Sequence, residues 1–447
     1  MQRPWDLATA LSNRGVVKPG DTLWLRGGRY VIRSRVTSTL RGLPGLPINV
    51  AAYPGERVIL DAAGTSQSHE ILRVEGEWTT FMGFEVTDSR LTRTDPAPGA
   101  FEVRGDNLKF INLIVHDYGQ GFVASRFAEN AEFYGNIIYY HGQNTRQHGM
   151  YPQNDPPGTK RFIDNIIFSN AGYGIHAYGL NGTLDGLYLE GNVMFNNGML
   201  QGEGVRKTNV LVGGSQPAER VTLVQNYTYH TPKYGGVNVA LGWAVDGNKT
   251  ATVTDNYFVG GDIIINLNKS WENLLLQHNL IYGRTFLASL PLGVEPRGYG
   301  WDQNEYFGSR STPFRFHGKE MTFAEWQNAT GLDRNSRFMA APPQGIHVFL
   351  RPNRYAPGRA HIIVYNWDKK PSIDLDVSTV LRVGDYYEVR DAQNYFGSPV
   401  ASGRYEGDAI RLPLTLTRVT QPVGLKTQMK HTAPEFAVFV LTSRRAF

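Results

Sequence analysis

The octapeptide GYGIHAYG, residues 172–179, places an imidazole and a phenol two positions apart among small residues. Histidine and tyrosine side chains both transfer protons, and a pair of them can divide the roles of base and acid in one reaction. Alternate side chains of an extended strand point to the same face. An extended conformation therefore presents His176 and Tyr178 on one face, with Ile175 and Ala177 on the other.

A second stretch, GMYPQN at 149–154, repeats this pattern of large polar residues at alternate positions. When the two stretches are aligned, Tyr151 matches His176 and Gln153 matches Tyr178. If the two stretches are neighbouring strands, their polar side chains form one row. We therefore predict that Tyr151 lies beside His176 on a shared outer face.

These side chains suit the removal of a carbon-bound proton next to a carboxylate, as in β-elimination from a uronate polymer. That reaction needs a base, a proton donor for the leaving oxygen and a group that neutralises the carboxylate. The loop HGQNTRQHGMY, which leads into Tyr151, adds Arg146 and His148. The predicted catalytic residues are His176 or His148 as the base and Tyr178 or Tyr151 as the proton donor.

Six segments align as successive strands of one stack, and they are FEVR, FVAS, MYPQ, IHAY, VLVG and VNVA, beginning at residues 101, 122, 150, 175, 210 and 237. Alternation places Glu102, Arg104 and Asn238 outward in the same row as the tyrosines and the histidine. A further loop, GEGVRKTN at 202–209, precedes VLVG and carries Lys207. The predicted substrate-binding residues are Arg104, Glu102, Arg146, Gln153, Lys207 and Asn238, of which Arg104, Arg146 and Gln153 would hold the carboxylate.

Other site chemistries fit the sequence less well. A glycoside hydrolase needs two carboxylates about 5 to 10 Å apart, and Glu102, Asp155 and Glu203 could supply a pair only from different coils and loops. Two histidines such as His148 and His176, without a nearby fixed carboxylate, are weak support for a metal site. Hydrolysis with a carboxylate pair and non-catalytic carbohydrate binding therefore stay as alternatives to elimination, and we predict no metal ligands.

The element that must position these residues is a repeat in which asparagine is followed by three mostly apolar residues. It occurs at Asn112, Asn136, Asn165, Asn192, Asn226, Asn256 and Asn279, at intervals of 23 to 34 residues, and Gly83 holds the matching place one coil earlier. A coil of this length accommodates two or three short strands, each paired with its equivalent about 4.8 Å away in the next coil. Asparagine tolerates the left-handed backbone of a corner and can hydrogen-bond to the next asparagine along the stack. We predict that these asparagines are structural.

This repeat, with the segments VKPGDTLWLRGGRYVI and INVAAYPGERVILDA, resembles the right-handed parallel β-helix of the pectate-lyase-like superfamily over about residues 1–310. The resemblance implies a carbohydrate-active protein, but not one activity, because the superfamily hosts lyases, hydrolases, epimerases and adhesins. β-Helical pectate lyases hold calcium with an aspartate cluster and use lysine or arginine as the base. No such aspartate cluster is evident here, so we expect no cofactor, with Ca²⁺ as an alternative. Lys207 is the lysine that the resemblance offers as a base.

The pattern changes past residue 310. The segment TFAEWQNATG has the capping-box spacing of Thr322 and Glu325 and ends at Gly331, which predicts a short closing helix. From about residue 345 the segments HIIVYNW, YYEVRDAQ, AIRLPLTL and EFAVFVLT predict an antiparallel β-sandwich. It resembles the accessory β-domains of carbohydrate-active enzymes, with a simple C-terminal cap as the alternative. The predicted fold is all-β, with a parallel β-helix over 1–340, including a short N-terminal capping helix, and a β-sandwich over 341–447.

Composition agrees with this fold and narrows the partners. The 49 glycines indicate many turns, and the absence of cysteine excludes disulfides and thiolate metal sites. The net charge is +5, without a block of Lys or Arg, so it gives little support to nucleic-acid binding. An acidic polymer of another kind suits this charge as well as nucleic acid does. No apolar run reaches the roughly 18 residues of a membrane span, and the N-terminus lacks the apolar core of a signal peptide. We expect a monomeric, secreted or periplasmic bacterial protein that acts on an acidic polysaccharide.

Overall fold

A computed structural model describes residues 4–64, 70–93, 99–180, 182–202, 208–232 and 235–444. The chain divides into two compact units, one of residues 1–341 with 423–425 and one of residues 342–422 with 426–447. The first is a right-handed parallel β-helix and the second is a small antiparallel β-sandwich, so the predicted fold class is confirmed.

Three parallel sheets form the β-helix, and within the described residues they contain 11, 12 and 12 strands. Sheet 1 consists of Thr22–Leu25, Ile48–Ala52, Thr79–Met82, Lys109–Ile111, Glu132–Tyr134, Lys160–Ile163, Leu184–Glu190, Ala218–Val224, Asn248–Thr254, Trp271–Gln277 and Gly300–Asp302. Sheet 2 consists of Gly28–Val31, Val58–Asp61, Glu85–Thr87, Ile114–His116, Ile137–Tyr139, Ile166–Phe168, Val193–Phe195, Tyr227–Tyr229, Tyr257–Val259, Leu280–Tyr282, Glu305–Phe307 and Arg337–Met339. Sheet 3 consists of Val36–Ser38, Leu72–Val74, Gly99–Val103, Gln120–Ala124, Met150–Pro152, Ile175–Ala177, Val210–Val212, Val237–Leu241, Ile263–Leu267, Phe286–Leu290, Phe314–Phe316 and the antiparallel Lys319–Met321.

Each coil contributes one strand to each sheet, so the inward side chains of successive coils stack along the axis. Phe110 of sheet 1 lies parallel to Phe133 with ring centroids 5.2 Å apart, and Phe101 of sheet 3 lies parallel to Phe122 at 4.7 Å. All four rings are fully buried. A coil could not bury these rings alone, which is why the core exists only in the stack.

A row of buried asparagines, here called the long ladder, follows the turn between sheets 1 and 2. The side-chain amide of each member donates to the side-chain carbonyl of the next at 2.9 to 3.0 Å. The same carbonyl accepts the backbone N–H of the preceding member. The members are Asn136, Asn165, Asn192, Asn226, Asn256, Asn279 and Asn304.

The predicted geometry of this corner is wrong in one respect. The left-handed residue is the one before each asparagine, for example Asp164 with φ 52° and His278 with φ 55°. In the Asn112 coil that conformation belongs to Asn112 itself, with φ 53°, and the ladder position is held by Leu113, whose N–H donates to Asn136. The asparagine side chain must face its neighbours along the stack, so the residue before it makes the corner. The ladder therefore begins one coil later than predicted and extends to Asn304.

A second row of asparagines, the short ladder, follows the turn between sheets 2 and 3 and ends within the sheet 3 strand Val237–Leu241. Its members Asn170, Asn197, Asn209 and Asn238 are joined by amide-to-carbonyl bonds of 2.8, 2.8 and 2.9 Å. It also receives the backbone N–H of His141. This ladder supports the loops that lead into the middle strands of sheet 3.

The helices are short and cap the coils. Leu7–Ser12 is capped by Asp6, and Phe323–Thr330 has the predicted capping box of Thr322 and Glu325, with Gly331 in the left-handed conformation at its end. Single 3₁₀ turns span Ala62–Gly64, Met199–Gln201 and Ala392–Asn394. In the described chain, no helix combines the length and the apolar character needed to cross a membrane.

The second unit contains a five-stranded and a two-stranded antiparallel sheet among its described residues. The larger has the order Ile346–Pro352, Ala360–Asn366, Phe436–Arg444, Tyr386–Asp391 and Ala401–Arg404, and the smaller pairs Ser372–Leu375 with Ile410–Pro413. Buried residues of both sheets, including Ile362, Phe439 and Leu412, share one core.

A buried charged cluster on the outer face of sheet 2 makes stability depend on pH. The His116 imidazole contacts Asp117 through Nδ1 at 2.7 Å and Glu85 through Nε2 at 3.1 Å. Burial alone would lower the pKa of His116, but its hydrogen bonds to the two carboxylates outweigh burial and raise the pKa from 6.5 to about 9. The folded state thus holds a proton that the unfolded state releases above its own pKa.

We expect His116 to contribute roughly 3 kcal/mol of stability. Because its folded pKa is raised, this contribution is complete below about pH 6.5 and disappears as the pH rises through about 9. Denaturant titrations of the wild type and His116→Gln at a series of pH values should give a difference in unfolding free energy that shrinks over that window. A difference that does not vary with pH would contradict the charged state of this histidine.

Candidate functional site

The outer face of sheet 3 carries the predicted row of side chains. Strand pairing aligns Glu102 with Val123 and Val123 with Tyr151, while His176 aligns with Leu211 in the following coil. Met150 pairs with Ile175, which sets Tyr151 next to His176, and their ring centroids are 5.3 Å apart. Both side chains are partly exposed, so the alignment of the repeats predicts their place correctly.

Five side chains form what we call the ring cluster: His148, Tyr151, Tyr173, His176 and Tyr178. Centroids of contacting rings lie 4.3 to 5.9 Å apart. His176 is central, because it contacts each of the other four rings. Two imidazoles and three phenols therefore meet on one face of the β-helix.

Tyr173 is the member of the cluster that sequence reasoning missed. Alternation along GYGIHAYG would place it inward with Ile175, but the strand begins only at Ile175. Tyr173 belongs to the preceding turn, where it is 9% exposed and stacks on His176 at 4.3 Å. The only available signal was its presence in the same short stretch as His176.

A chain of hydrogen bonds sets the tautomers of the two histidines. The backbone N–H of Tyr173 donates to Nδ1 of His148 at 3.1 Å, so Nδ1 must accept. The proton of neutral His148 then lies on Nε2, which faces Nδ1 of His176 at 2.8 Å. Neutral His176 accepts at Nδ1 and consequently carries its own proton on Nε2.

Close packing holds His148 in this chain. It is 3% exposed and lies over Gly172, where a Cβ atom would be 2.3 Å from Nδ1. At Gly174, a Cβ would be 2.6 Å from the side-chain amide of Asn197 in the short ladder. The glycines of GYGIHAYG therefore allow the turn to pack tightly against both the imidazole and the ladder.

The phenols of Tyr151 and Tyr173 are held in the neutral form. Burial raises the pKa of both, and a hydrogen bond with Gln153 offsets only part of the effect at Tyr151. Neutral phenols donate hydrogen bonds. Together with the Nε2–H of His176, the face therefore offers several donors and suits a ligand rich in acceptor oxygens.

Arg104 and Glu102 lie elsewhere on the same sheet. Three strand spacings separate them from the His176 strand, which is about 14 Å. Glu102 accepts hydrogen bonds from Arg73 at 2.7 Å and from Arg104 at 2.6 Å. Burial alone would raise the pKa of Glu102, but these bonds outweigh it and lower the pKa. The structure does not bring this ion pair to the ring cluster.

The remaining predicted ligands have different outcomes. Gln153 contacts Tyr151, and Arg146 is exposed on the loop that carries His148. Lys207 lies outside the described residues. The expected outward placement of Asn238 is wrong, because this residue is fully buried in the short ladder. The register differs by two residues from the prediction, so Ala240 pairs with Leu211.

Neither a carboxylate pair nor a metal site accompanies the ring cluster in the described part of the chain. Asp155 forms an ion pair with Arg126 at 3.3 Å, and Glu102 forms ion pairs with three arginines. No group of three or more histidine and acidic side chains is placed to hold a metal ion among the described residues. The five rings, which carry no carboxylate, do not fit a calcium site.

Residues 1–277 match the profile of a family described as "Pel9A-like, right handed beta helix region". The chain belongs to this Pel9A-like family. No curated protein matches the Pel9A-like chain in sequence.

Solved structures resemble this Pel9A-like chain at low identity. The pectate lyase Pel9A is 17% identical over 76% of this chain and 74% of its own, with a TM-score of 0.39. A PL6-family polysaccharide lyase from Pseudopedobacter saltans is 9% identical over 76% and 91%, with a TM-score of 0.45. A GH136 lacto-N-biosidase from Eubacterium ramulus is 12% identical over 73% and 63%, with a TM-score of 0.44. No activity of this chain follows from these likenesses.

Proposed function

We propose that the protein is a polysaccharide lyase that cleaves a uronate-containing polysaccharide by β-elimination at the ring cluster. The observation that carries the proposal is the hydrogen-bond chain from the Tyr173 amide through His148 to His176, on an exposed face lined by phenols. Such a chain fixes the proton of a central imidazole where a bound saccharide would contact it. The Pel9A-like family of residues 1–277 is compatible with this activity.

The reaction places three demands on the site. A base takes the proton from the carbon next to the carboxylate, and the electron pair forms a carbon–carbon double bond while the glycosidic C–O bond breaks. The leaving oxygen then takes up a proton. Donors that neutralise the carboxylate stabilise the charge that develops in the transition state.

His176 neutralises the substrate carboxylate in this proposal. Its Nε2–H donates to the substrate carboxylate, and Tyr151 and Gln153 add neutral donors beside it. A base role for His176 would require its other tautomer, and that tautomer breaks the bond between His148 and the Tyr173 amide. His148 is buried with both ring nitrogens engaged, so it is a positioning residue. In this proposal neither imidazole is the base, whereas the sequence alone favours His176 or His148 in that role.

Tyr178 moves the proton in this proposal. It is partly exposed, it directly follows the strand Ile175–Ala177, and its ring lies 5.1 Å from that of His176. As a phenolate it takes the carbon-bound proton, and as a phenol it returns a proton to the leaving oxygen. Lys207, which precedes the neighbouring strand Val210–Val212 in sequence, is the alternative base.

The assay that tests the activity incubates the full chain with pectate, alginate and neutral glycans. Elimination leaves a double bond conjugated to the carboxylate, which absorbs in the ultraviolet, whereas hydrolysis gives new reducing ends without that absorbance. We expect the absorbance to rise with a uronate polymer only. Reducing ends without absorbance would replace elimination by hydrolysis, and no product from any glycan would reject an enzymatic role.

Two substitutions distinguish donation from proton abstraction at His176. His176→Ala is expected to lower kcat about a hundredfold, the effect of losing one preorganised donor. His176→Gln, which keeps an N–H donor, should retain more activity, whereas a missing base would leave both variants equally inactive. The exposed His278→Asn serves as the control, since asparagine tolerates its left-handed backbone. Initial rates and kcat/KM measure the outcome.

A further inference from the structure

A cavity of about 320 Å³ lies within the C-terminal unit. It is found where Ile346–Pro352 ends and Ala360–Asn366 begins, and Ser443 of the strand Phe436–Arg444 contributes to its wall. The loop between Ser372–Leu375 and Tyr386–Asp391 provides the other side. Its volume falls in the range of roughly 300 to 1,000 Å³ that small-molecule sites occupy.

Arg359 lines one wall of the cavity, and one edge of its guanidinium lacks acceptors among the described residues. Nε and Nη2 of Arg359 are buried, and neither has a hydrogen-bond partner within the described protein. A guanidinium stays charged in proteins, so two buried N–H donors without acceptors lower the stability of the fold. Nε and Nη2 form one edge of the guanidinium, and that edge matches the two oxygens of a carboxylate. The surrounding protein encloses this edge, so a ligand in the cavity reaches it only when the side chain turns outward.

The other lining groups favour an anion with hydroxyl groups. Arg382 adds a second cation, and Ser378, Thr379 and Ser443 add hydroxyls that donate or accept. Among the described lining residues the single carboxylate, Asp385, accepts the backbone N–H of Arg382 at 3.0 Å. Two guanidinium groups against one carboxylate leave the cavity with a net positive charge.

We propose that this cavity, here called the Arg359 pocket, binds the carboxylate of an acidic saccharide. On binding, the Arg359 side chain turns toward the cavity, and its Nε and Nη2 edge takes the two carboxylate oxygens. Arg382 adds electrostatic attraction, and the hydroxyls contact the sugar. The anion site depends only on the pocket itself. The choice of a uronate among possible carboxylates rests on the proposed function. The C-terminal unit is then a second binding site for the polymer.

The test uses the full chain carrying His176→Ala, so that the ligand survives the measurement. Oligogalacturonate and oligomannuronate are titrated calorimetrically, with a neutral cello-oligosaccharide and inorganic sulfate as separate probes. Arg359→Gln in this background should weaken binding at one oligouronate site about tenfold to a hundredfold. Arg359→Lys, which keeps the charge without the fork, should fall between the two. Arg404→Gln, at an exposed arginine of the same unit, is the matched control and should change nothing.

Each outcome decides between the sources of the ligand. Equal oligouronate affinity in Arg359→Gln and its parent, with an unchanged melting temperature, overturns the pocket. Sulfate that binds as tightly as the oligouronate at the same site overturns the saccharide assignment in favour of a small anion. If binding by the His176→Ala chain depends on Arg359 while the wild type shows no lyase activity, the pocket stands and the proposed reaction is rejected. If Arg359→Gln in the otherwise wild-type chain leaves lyase activity on short oligomers unchanged, and binding is also unchanged, the proposed reaction stands and the pocket is rejected.

Discussion

Tyr178→Phe is expected to lower kcat on the uronate substrate about 10²- to 10⁴-fold, the range that a positioned proton-transfer group contributes. The substitution removes one oxygen and keeps the ring that contacts His176 at 5.1 Å. The packing of the cluster should therefore be unaffected. Because the lost hydroxyl acts in the transition state, kcat should fall while KM changes little.

Ultraviolet initial rates over a range of substrate concentrations measure this loss. Tyr386→Phe, at an exposed tyrosine of the C-terminal unit, is the control with the same chemical change. Lys207→Met is compared under the same conditions, because it identifies the alternative base. Full activity in Tyr178→Phe with inactivity in Lys207→Met would transfer the proton-abstracting role from the phenol to the lysine.

Asn192→Ala is expected to lower the free energy of unfolding of the β-helix by about 4 to 6 kcal/mol. The side chain is fully buried in the middle of the long ladder. Its removal leaves the backbone N–H and side-chain amide of Asn165 without their acceptor, and the Phe162 carbonyl without its donor. Each buried group left unsatisfied costs about 1 to 3 kcal/mol. The total is a large part of the stability that most domains have.

Denaturant unfolding followed by circular dichroism measures this effect. Asn328→Ala makes the same substitution on the exposed face of the helix Phe323–Thr330, where alanine has the higher helix propensity, and it should be neutral or slightly stabilising. Equal stability of Asn192→Ala and the wild type would show that water replaces the missing amide. In that case the ladder would specify the register of the coils without contributing to stability.

The repeat was readable from sequence because one residue type recurs in one structural role. Buried asparagines must satisfy the same donors and acceptors in every coil, so their spacing marks the coils directly. The error at Asn112 shows the limit of this signal. Asparagine suits both the left-handed corner and the ladder position, and a single sequence does not distinguish a shift of one residue between them.

The site was only partly readable for a related reason. Strand alternation correctly placed Tyr151 beside His176. Alternation says nothing about turns, so it missed Tyr173 and the amide that orients His148. The extra residues at the start of Val237–Leu241 shifted the register and misplaced Asn238. The Arg359 pocket has no sequence signal, because loops distant in the chain assemble it.

The long ladder also has an electrical direction. Every side-chain amide in it donates toward the next coil, so the amide dipoles add along the axis and their positive ends face the C-terminal coils. In an α-helix the peptide dipoles add in the same manner, with the positive end at the N-terminus. At that end the Asn304 amide meets the carboxylate of Asp333 at 3.3 Å. A negative group thus terminates the row where the summed field is most favourable to it. Burial raises the pKa of Asp333 to about 6, and the hydrogen bond from Asn304 acts against that rise. Because the field of aligned dipoles falls off within about one turn, this terminal amide supplies most of the stabilisation that the row gives to the carboxylate.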